Sequence, residues 1–390
     1  MRKSVMGSIG RRMTACSCRN MISFFTSARS FSWHEKRPLN VLFFGSDQFS
    51  IHSLRKLCEL RIEPDPVVKQ LQVVTRSTKN CGRDLSVTRE PPIVPACEEL
   101  GLKPALRCES ADDMLGFVRD VAIAGGFNMI IAVSFGKLIP AGLLENLPYS
   151  LNVHPSLLPR YRGSSPIQQT LLNRDPETGV SVQTLHPSRF DQGALVAQSK
   201  PLSTETLVAK GKTSTFDTPV PPKVAALMDQ LGVVGAELLS DVLREGLYRQ
   251  TTDILSRPQY AESYARRIKT TDKRINWATD HVDTVMAKRD ALGALYAFVS
   301  ARGKHLLPEQ KRVIFHSLDR YRGECDLPNL SGAFDYDPAL ECLVIRLGDG
   351  TKFSCDLIQL QGFKPEPAAQ FMKSLRKRCR RQTSDVAVFS

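Results

Sequence analysis

At 390 residues the chain is long enough for two domains with a core each, and its 42% hydrophobic and 24% charged composition excludes a disordered or fibrous protein. Its apolar runs are short, Met129-Ile130-Ile131-Ala132-Val133 being typical, against the about 20 residues of a membrane-spanning helix. A net charge of +13 favours an acidic partner, and ten cysteines without any Cys-x-x-Cys pair indicate reduced thiols and no metal site.

Residues 1–34 hold Arg2, Lys3, Arg11, Arg12, Arg19 and Arg29 among Ser, Phe and Met, with no Asp or Glu. That is the composition of a transit peptide, because the scattered arginines interrupt the apolar core a secretory signal requires. Import into the mitochondrial matrix and removal of this segment are expected. The next stretch, 35–250, reads as one α/β domain. Asn40-Val41-Leu42-Phe43-Phe44-Gly45-Ser46-Asp47 is an apolar strand ending in a turn, and a helix follows over 51–60. Gly45 alone is no dinucleotide fingerprint. Further strands are predicted at 67–74 and 128–133 and helices at 96–100, 111–121 and 167–172, an alternation that argues for a doubly wound, mostly parallel sheet. Between them, 75–92 is polar and reads as a surface loop.

The most informative stretch is Leu151-Asn152-Val153-His154-Pro155-Ser156-Leu157-Leu158-Pro159. Side chains alternate along a strand, so Asn152 and His154 project together while Leu151 and Val153 enter the core. Pro155 ends the strand, placing the pair at a strand terminus, where open α/β sheets hold ligands. A carboxamide beside an imidazole suits acyl transfer to an amine, in which a carbonyl oxygen gains negative charge and needs fixed donors. The amine must also lose a proton, and Asp191, in Phe190-Asp191-Gln192-Gly193 after a strand-like 179–185, is the candidate carboxylate, with Gly193 allowing a tight turn.

The run from Asn152 to Gly163, with Ser165-Pro166-Ile167-Gln168, Glu177-Thr178-Gly179-Val180 and Asp191-Gln192-Gly193, resembles the folate-dependent formyltransferases, most closely those acting on an aminoacyl-tRNA. The resemblance extends from about Leu39 to Gln198 and returns in the C-terminal part. It implies a formyltransferase-type Rossmann-like domain followed by a small OB-like β-barrel. It also implies that Asn152, His154 and Asp191 form a catalytic triad moving a formyl group from 10-formyltetrahydrofolate to the amino group of initiator methionyl-tRNA, without a metal. Phe135, Gly136 and Leu138, in the loop after the 128–133 strand, are implied to line a pterin pocket, together with Ser156, Leu157, Leu158, Pro159 and Asp191. Arg83, Arg162, Arg266, Arg267, Lys373, Arg376 and Lys377 are the expected tRNA contacts.

The remaining stretches are expected to form a linker over 251–274, a barrel over 275–372 from β-like runs at 312–317, 332–336, 342–347 and 352–359, and a basic tail over 373–390. A single chain is expected to act as a monomer. The sequence departs from the family in three places: Lys79-Asn80-Cys81-Gly82-Arg83 replaces a denser basic run, 202–222 is Ser/Thr/Pro-rich and reads as a disordered insertion, and no Pro/Trp motif is recognisable near 289–299. Competing readings are a formyltransferase or hydrolase acting on a small amine, and an inactive tRNA-binding relative.

Overall fold

Val41, Leu42, Phe43 and Phe44 are all fully buried, which a strand achieves only when both its faces are covered. The computed structural model describes residues 38–81, 87–212, 220–249, 260–302, 308–379 and 388–390; the expected leader and Arg83 lie outside them. The four buried residues belong to β1 (Leu39–Gly45), within a seven-stranded sheet completed by β2 (Val68–Thr75), β3 (Leu106–Arg107), β4 (Met129–Val133), β5 (Tyr149–His154), β6 (Ser181–Gln183) and β7 (Leu195–Gln198). The spatial order is β7-β6-β5-β4-β1-β2-β3. The five strands from β5 to β3 run parallel, and β6 runs antiparallel to both its neighbours. From β1 the chain winds first to β2 and then back to β4 on the other side, so the crevice between β1 and β4 is the switch point where such sheets bind ligands.

Helix α1 (Gln48–Ile62) starts where the Asp47 side chain accepts from the Ser50 amide at 3.1 Å. With the long helix α2 (Pro222–Glu245) it covers the face formed by Val41, Phe43, Leu151 and Val153. Pro222 opens α2 without sacrificing a needed N–H, and Gly246 closes it at φ +72°. Phe44, Ile130, Ala132 and Phe135 pack on the opposite face.

The expected disordered insertion is partly regular: Leu202–Ser203 is a strand pairing with Glu177–Thr178, and Thr204–Lys210 is a helix capped by Ser203. Ser203 acts as the helix-start signal there, its Oγ accepting from the Thr206 amide at 3.3 Å; 213–219 lie outside the described residues. The loop over 75–92 carries a short hairpin, Lys79–Cys81 with Val87–Arg89.

Beyond residue 274 the strands form two antiparallel four-stranded sheets that together make a small barrel-like domain. One contains Leu295–Arg302, Pro308–Phe315, Leu357–Leu360 and Glu366–Pro367; the other Asp319–Arg320, Lys352–Cys355, Cys342–Arg346 and Phe334–Asp337. Phe389 fills the interior, stacked on Phe334 at 3.9 Å between ring centroids and close to Phe315 and Trp277. The expected basic tail is therefore corrected. Its first part is helix Ala368–Cys379, whose Phe371, Leu375 and Cys379 form a buried stripe at four-residue spacing, and Val388 and Phe389 bridge to Ala333 and Val299. Among the described residues no helix is long and apolar enough to cross a membrane.

Candidate active site

Register places the key side chains on one face. Asn152 stands between Ala132 of β4 and Gln183 of β6, and His154 stands opposite Ser181. Asp191, in the turn between β6 and β7, reaches back over that face. Its Oδ1 accepts from Asn152 Nδ2 at 2.9 Å and from Gln183 Nε2 at 3.0 Å, and its Oδ2 accepts from the Gly163 amide at 2.8 Å. His154 Nδ1 lies 3.3 Å from Asp191 Oδ1, and its Nε2 faces the Tyr161 carbonyl at 2.8 Å. Two acceptors therefore fix the ring plane, and only a doubly protonated ring donates to both.

The turn that carries Asp191 is built differently from the sequence expectation. Asp191 itself occupies the left-handed region at φ +54°, while Gly193 is required by crowding, since a Cβ there would stand 1.7 Å from the Thr184 carbonyl oxygen. The Arg162 guanidinium donates to the Asp191 carbonyl and pairs with Glu262 at 3.2 Å. The loop holding Gly163 is in turn stitched to the linker. Tyr264–Ala265 pairs in parallel with Arg162–Gly163, the Arg162 amide donates to the Ser263 carbonyl at 2.9 Å, and the Tyr161 amide donates to Ser263 Oγ at 3.0 Å.

Asn152, His154, Gly163, Gln183 and Asp191 line a cavity of about 430 Å³ at the switch point. Phe135, Gly136 and Leu138 form one wall, with Gly136 at φ +75° exposing its backbone; Phe49, Ile167 and Met228 contribute apolar surface elsewhere. Such a size and mixture suits a small organic ligand held by a few oriented polar groups. Ser156, Leu157, Leu158 and Pro159 are not among the lining residues, contrary to expectation. Leu157 and Leu158 are buried, and Ser181 Oγ pins this loop from behind by donating to the Ser156 carbonyl at 2.7 Å and accepting from the Leu158 amide at 3.0 Å. Pro155 lines the cavity in their place.

Of the expected tRNA contacts, Arg267 lines the cavity, whereas Arg266 is held in a two-pronged ion pair with Asp272 at 2.7 and 2.8 Å. Lys373 and Lys377 are exposed on the last helix. Sequence reasoning missed Gln183, whose signal is its place two positions after Ser181 on a strand beside Asn152, and Asp47. The Asp47 carboxyl lines the same cavity, and burial pushes it up to about 6 against the donation of the Ser50 amide.

A carboxylate gathering an amide, an imidazole and a backbone N–H at the wall of a cavity is equipped for transfer of an acyl group to an amine. Residues 39–211 match the formyl transferase family, and a relative 43% identical over 364 residues, 88% of this chain, carries that activity in its name; the chain belongs to the formyltransferase family. That relative is the mitochondrial methionyl-tRNA formyltransferase of Saccharomyces cerevisiae, 91% of which is covered. The mitochondrial methionyl-tRNA formyltransferase of Rattus norvegicus is 31% identical over 291 residues, 73% of this chain and 65% of that protein. Among solved structures, HypX from Aquifex aeolicus in complex with tetrahydrofolic acid shares the fold at a TM-score of 0.50 and 16% identity, over 91% of this chain and 51% of that one.

Proposed function

We propose that this chain transfers the formyl group of 10-formyltetrahydrofolate to the amino group of initiator methionyl-tRNA, acting as a monomer in the mitochondrial matrix. The observation that carries the reading is the convergence of Asn152, His154 and Asp191 at one wall of the cavity. The names of the relatives supply the acceptor and the compartment, and the transit-peptide composition of residues 1–34 supports import.

In this reaction the amine nitrogen bonds to the formyl carbon, charge gathers on the formyl oxygen, and the bond to the folate nitrogen breaks. Asn152 Nδ2 has a second hydrogen beyond the one given to Asp191 and meets the oxyanion with it; the doubly protonated His154 ring joins it by turning one N–H from the Tyr161 carbonyl to the oxyanion. Asp191 orients both groups and accepts the proton released by the amine, which ends on the departing folate nitrogen. Phe135, Gly136 and Leu138 hold the pterin. Arg267 at the cavity, with Arg162, Arg266, Lys373 and Lys377, meets the tRNA.

The test is to incubate the chain lacking residues 1–34 with methionyl-tRNA and 10-formyltetrahydrofolate and to look for formylmethionyl-tRNA. Product is expected with methionyl-tRNA and not with glycinamide ribonucleotide. In the same assay His154→Ala should lower kcat by a factor on the order of 100 to 1,000 with a much smaller change in KM, as loss of an oxyanion donor does. Product from glycinamide ribonucleotide alone, or unaltered turnover in His154→Ala, overturns the proposal.

A further inference from the structure

A second cavity, of about 540 Å³, opens between the catalytic domain and the barrel-like domain. It is lined by Gln169 from the Pro166–Leu172 helix, by Arg266, Asp272 and Arg274 from the linker, and by Lys288 from the Val282–Leu292 helix. Arg266 is paired with Asp272 and Lys288 with Asp280, but the Arg274 guanidinium rests 5.2 Å from the centre of the Phe298 ring. Of the three cations on the wall, Arg274 is thus the one without an ion pair to a carboxylate among the described residues.

Tyr264 lines both this cavity and the catalytic one. It is 66% exposed, although it sits in a paired strand, and its ring edge lies 2.7 Å from where a Cβ on Gly163 would stand. One side of the ring is thus packed on a glycine that leaves room for it, and the rest is open to solvent. Along the linker the side chains then divide, Arg267 lining the catalytic cavity and Arg266 the second one. A flat ring between a reaction chamber and a cationic groove matches the needs of a single nucleic-acid strand, whose bases stack on aromatics while its phosphates follow positive charge.

We propose that Tyr264 is the stacking platform for the terminal base of the RNA acceptor, and that the second cavity receives the phosphates behind it. The inference rests on the formylation reading above. With the aminoacyl group at Asn152, His154 and Asp191, the ring holds the base at the rim and Arg274 offers its charge to the backbone. Stacking tolerates any base, so this contact supplies affinity and direction and leaves discrimination among tRNAs to other surfaces.

The test uses methionyl-tRNA with 2-aminopurine in place of the terminal adenine and the chain lacking residues 1–34. Binding to the unaltered chain should quench the fluorescence. Tyr264→Phe should keep the quenching, and Tyr264→Ala should lose it and raise KM for methionyl-tRNA about 5- to 100-fold, a far larger change than in kcat. Arg274→Gln should keep the quenching and flatten the dependence of KM on salt. Should Tyr264→Ala lose its folded circular dichroism spectrum, Tyr264→Leu, which keeps apolar bulk, is read in its place. Undiminished quenching and KM in the Ala or Leu variant overturn the proposal. Quenching is read without turnover, so an unaltered chain that quenches but makes no product overturns the activity reading alone.

Discussion

Asp47 is the residue at which the cavity costs the fold most visibly. Its carboxyl caps α1 and lines the cavity, and burial lifts it from an ordinary 3.8 to about 6. A carboxyl raised on folding keeps its proton longer in the native state, so the charged form is disfavoured there above pH 6. The native state carries the full cost above pH 6 and sheds it progressively as the pH falls toward 4. Asn caps helices as well as Asp, so Asp47→Asn should stabilise the chain at pH 7.5 by on the order of 1–3 kcal/mol, with the gain gone near pH 4. Thermal unfolding of both proteins across that range measures it; a gain that grows toward low pH would refute the account. At Asp191 the two oxygens receive the Asn152, Gln183 and Gly163 donors, so its acceptors are filled by groups already in place.

At the level of elements, the turn between β6 and β7 sets the carboxylate. Gly193 cannot take a side chain because the Thr184 carbonyl occupies the space, and two hydrogen bonds at 2.9 Å tie Ala194 to Thr184. Gly193→Ala must therefore push the backbone apart, at a cost of about 1–3 kcal/mol. It should lower Tm by several degrees and reduce kcat more than KM, because Asp191 lies two residues upstream; a variant with unchanged Tm and kcat would show that the turn yields freely. The same element shows what the sequence can and cannot disclose. A two-residue period makes Asn152 and His154 recognisable as neighbours, and a buried apolar run makes β1 and β4 recognisable as strands, because both signals are local. Asp191 meets them only through chain reversal; the turn at Gly193 and the need for a carboxylate make it a candidate, and the family resemblance singles it out. Gln183 reads like any interior strand residue until its partner across the sheet is known. Phe371, Leu375 and Cys379 have helical spacing, but the lysines and arginines among them suggest a solvated tail, and the strand Leu295–Arg302 falls where no familiar motif helps.

On the scale of the whole molecule, the two domains meet through the Pro166–Leu172 and Val282–Leu292 helices, an ion pair between Arg174 and Asp283 at 2.9 Å, and the extended linker. Residues 38–249 contain every strand of the catalytic sheet and all three groups of the proposed triad, while one continuous apolar cluster runs from this sheet into the barrel-like domain. The sequence marks this division by composition, the β-like runs gathering beyond 275, but it gives no hint that the linker pairs with the catalytic loop.

That pairing gives the connecting segment a task beyond spacing. Ser263 and Ala265 grip the backbone on either side of Gly163, and the amide of Gly163 is one of the three donors aiming Asp191. A truncated protein ending at residue 249 should consequently retain a native-like circular dichroism spectrum yet form product at least about 10-fold more slowly, even with a minimal aminoacylated acceptor too short to reach the barrel. Adding back residues 260–268 alone should restore much of the loss. The half that performs no chemistry thus owns the clamp on which the chemistry is trued.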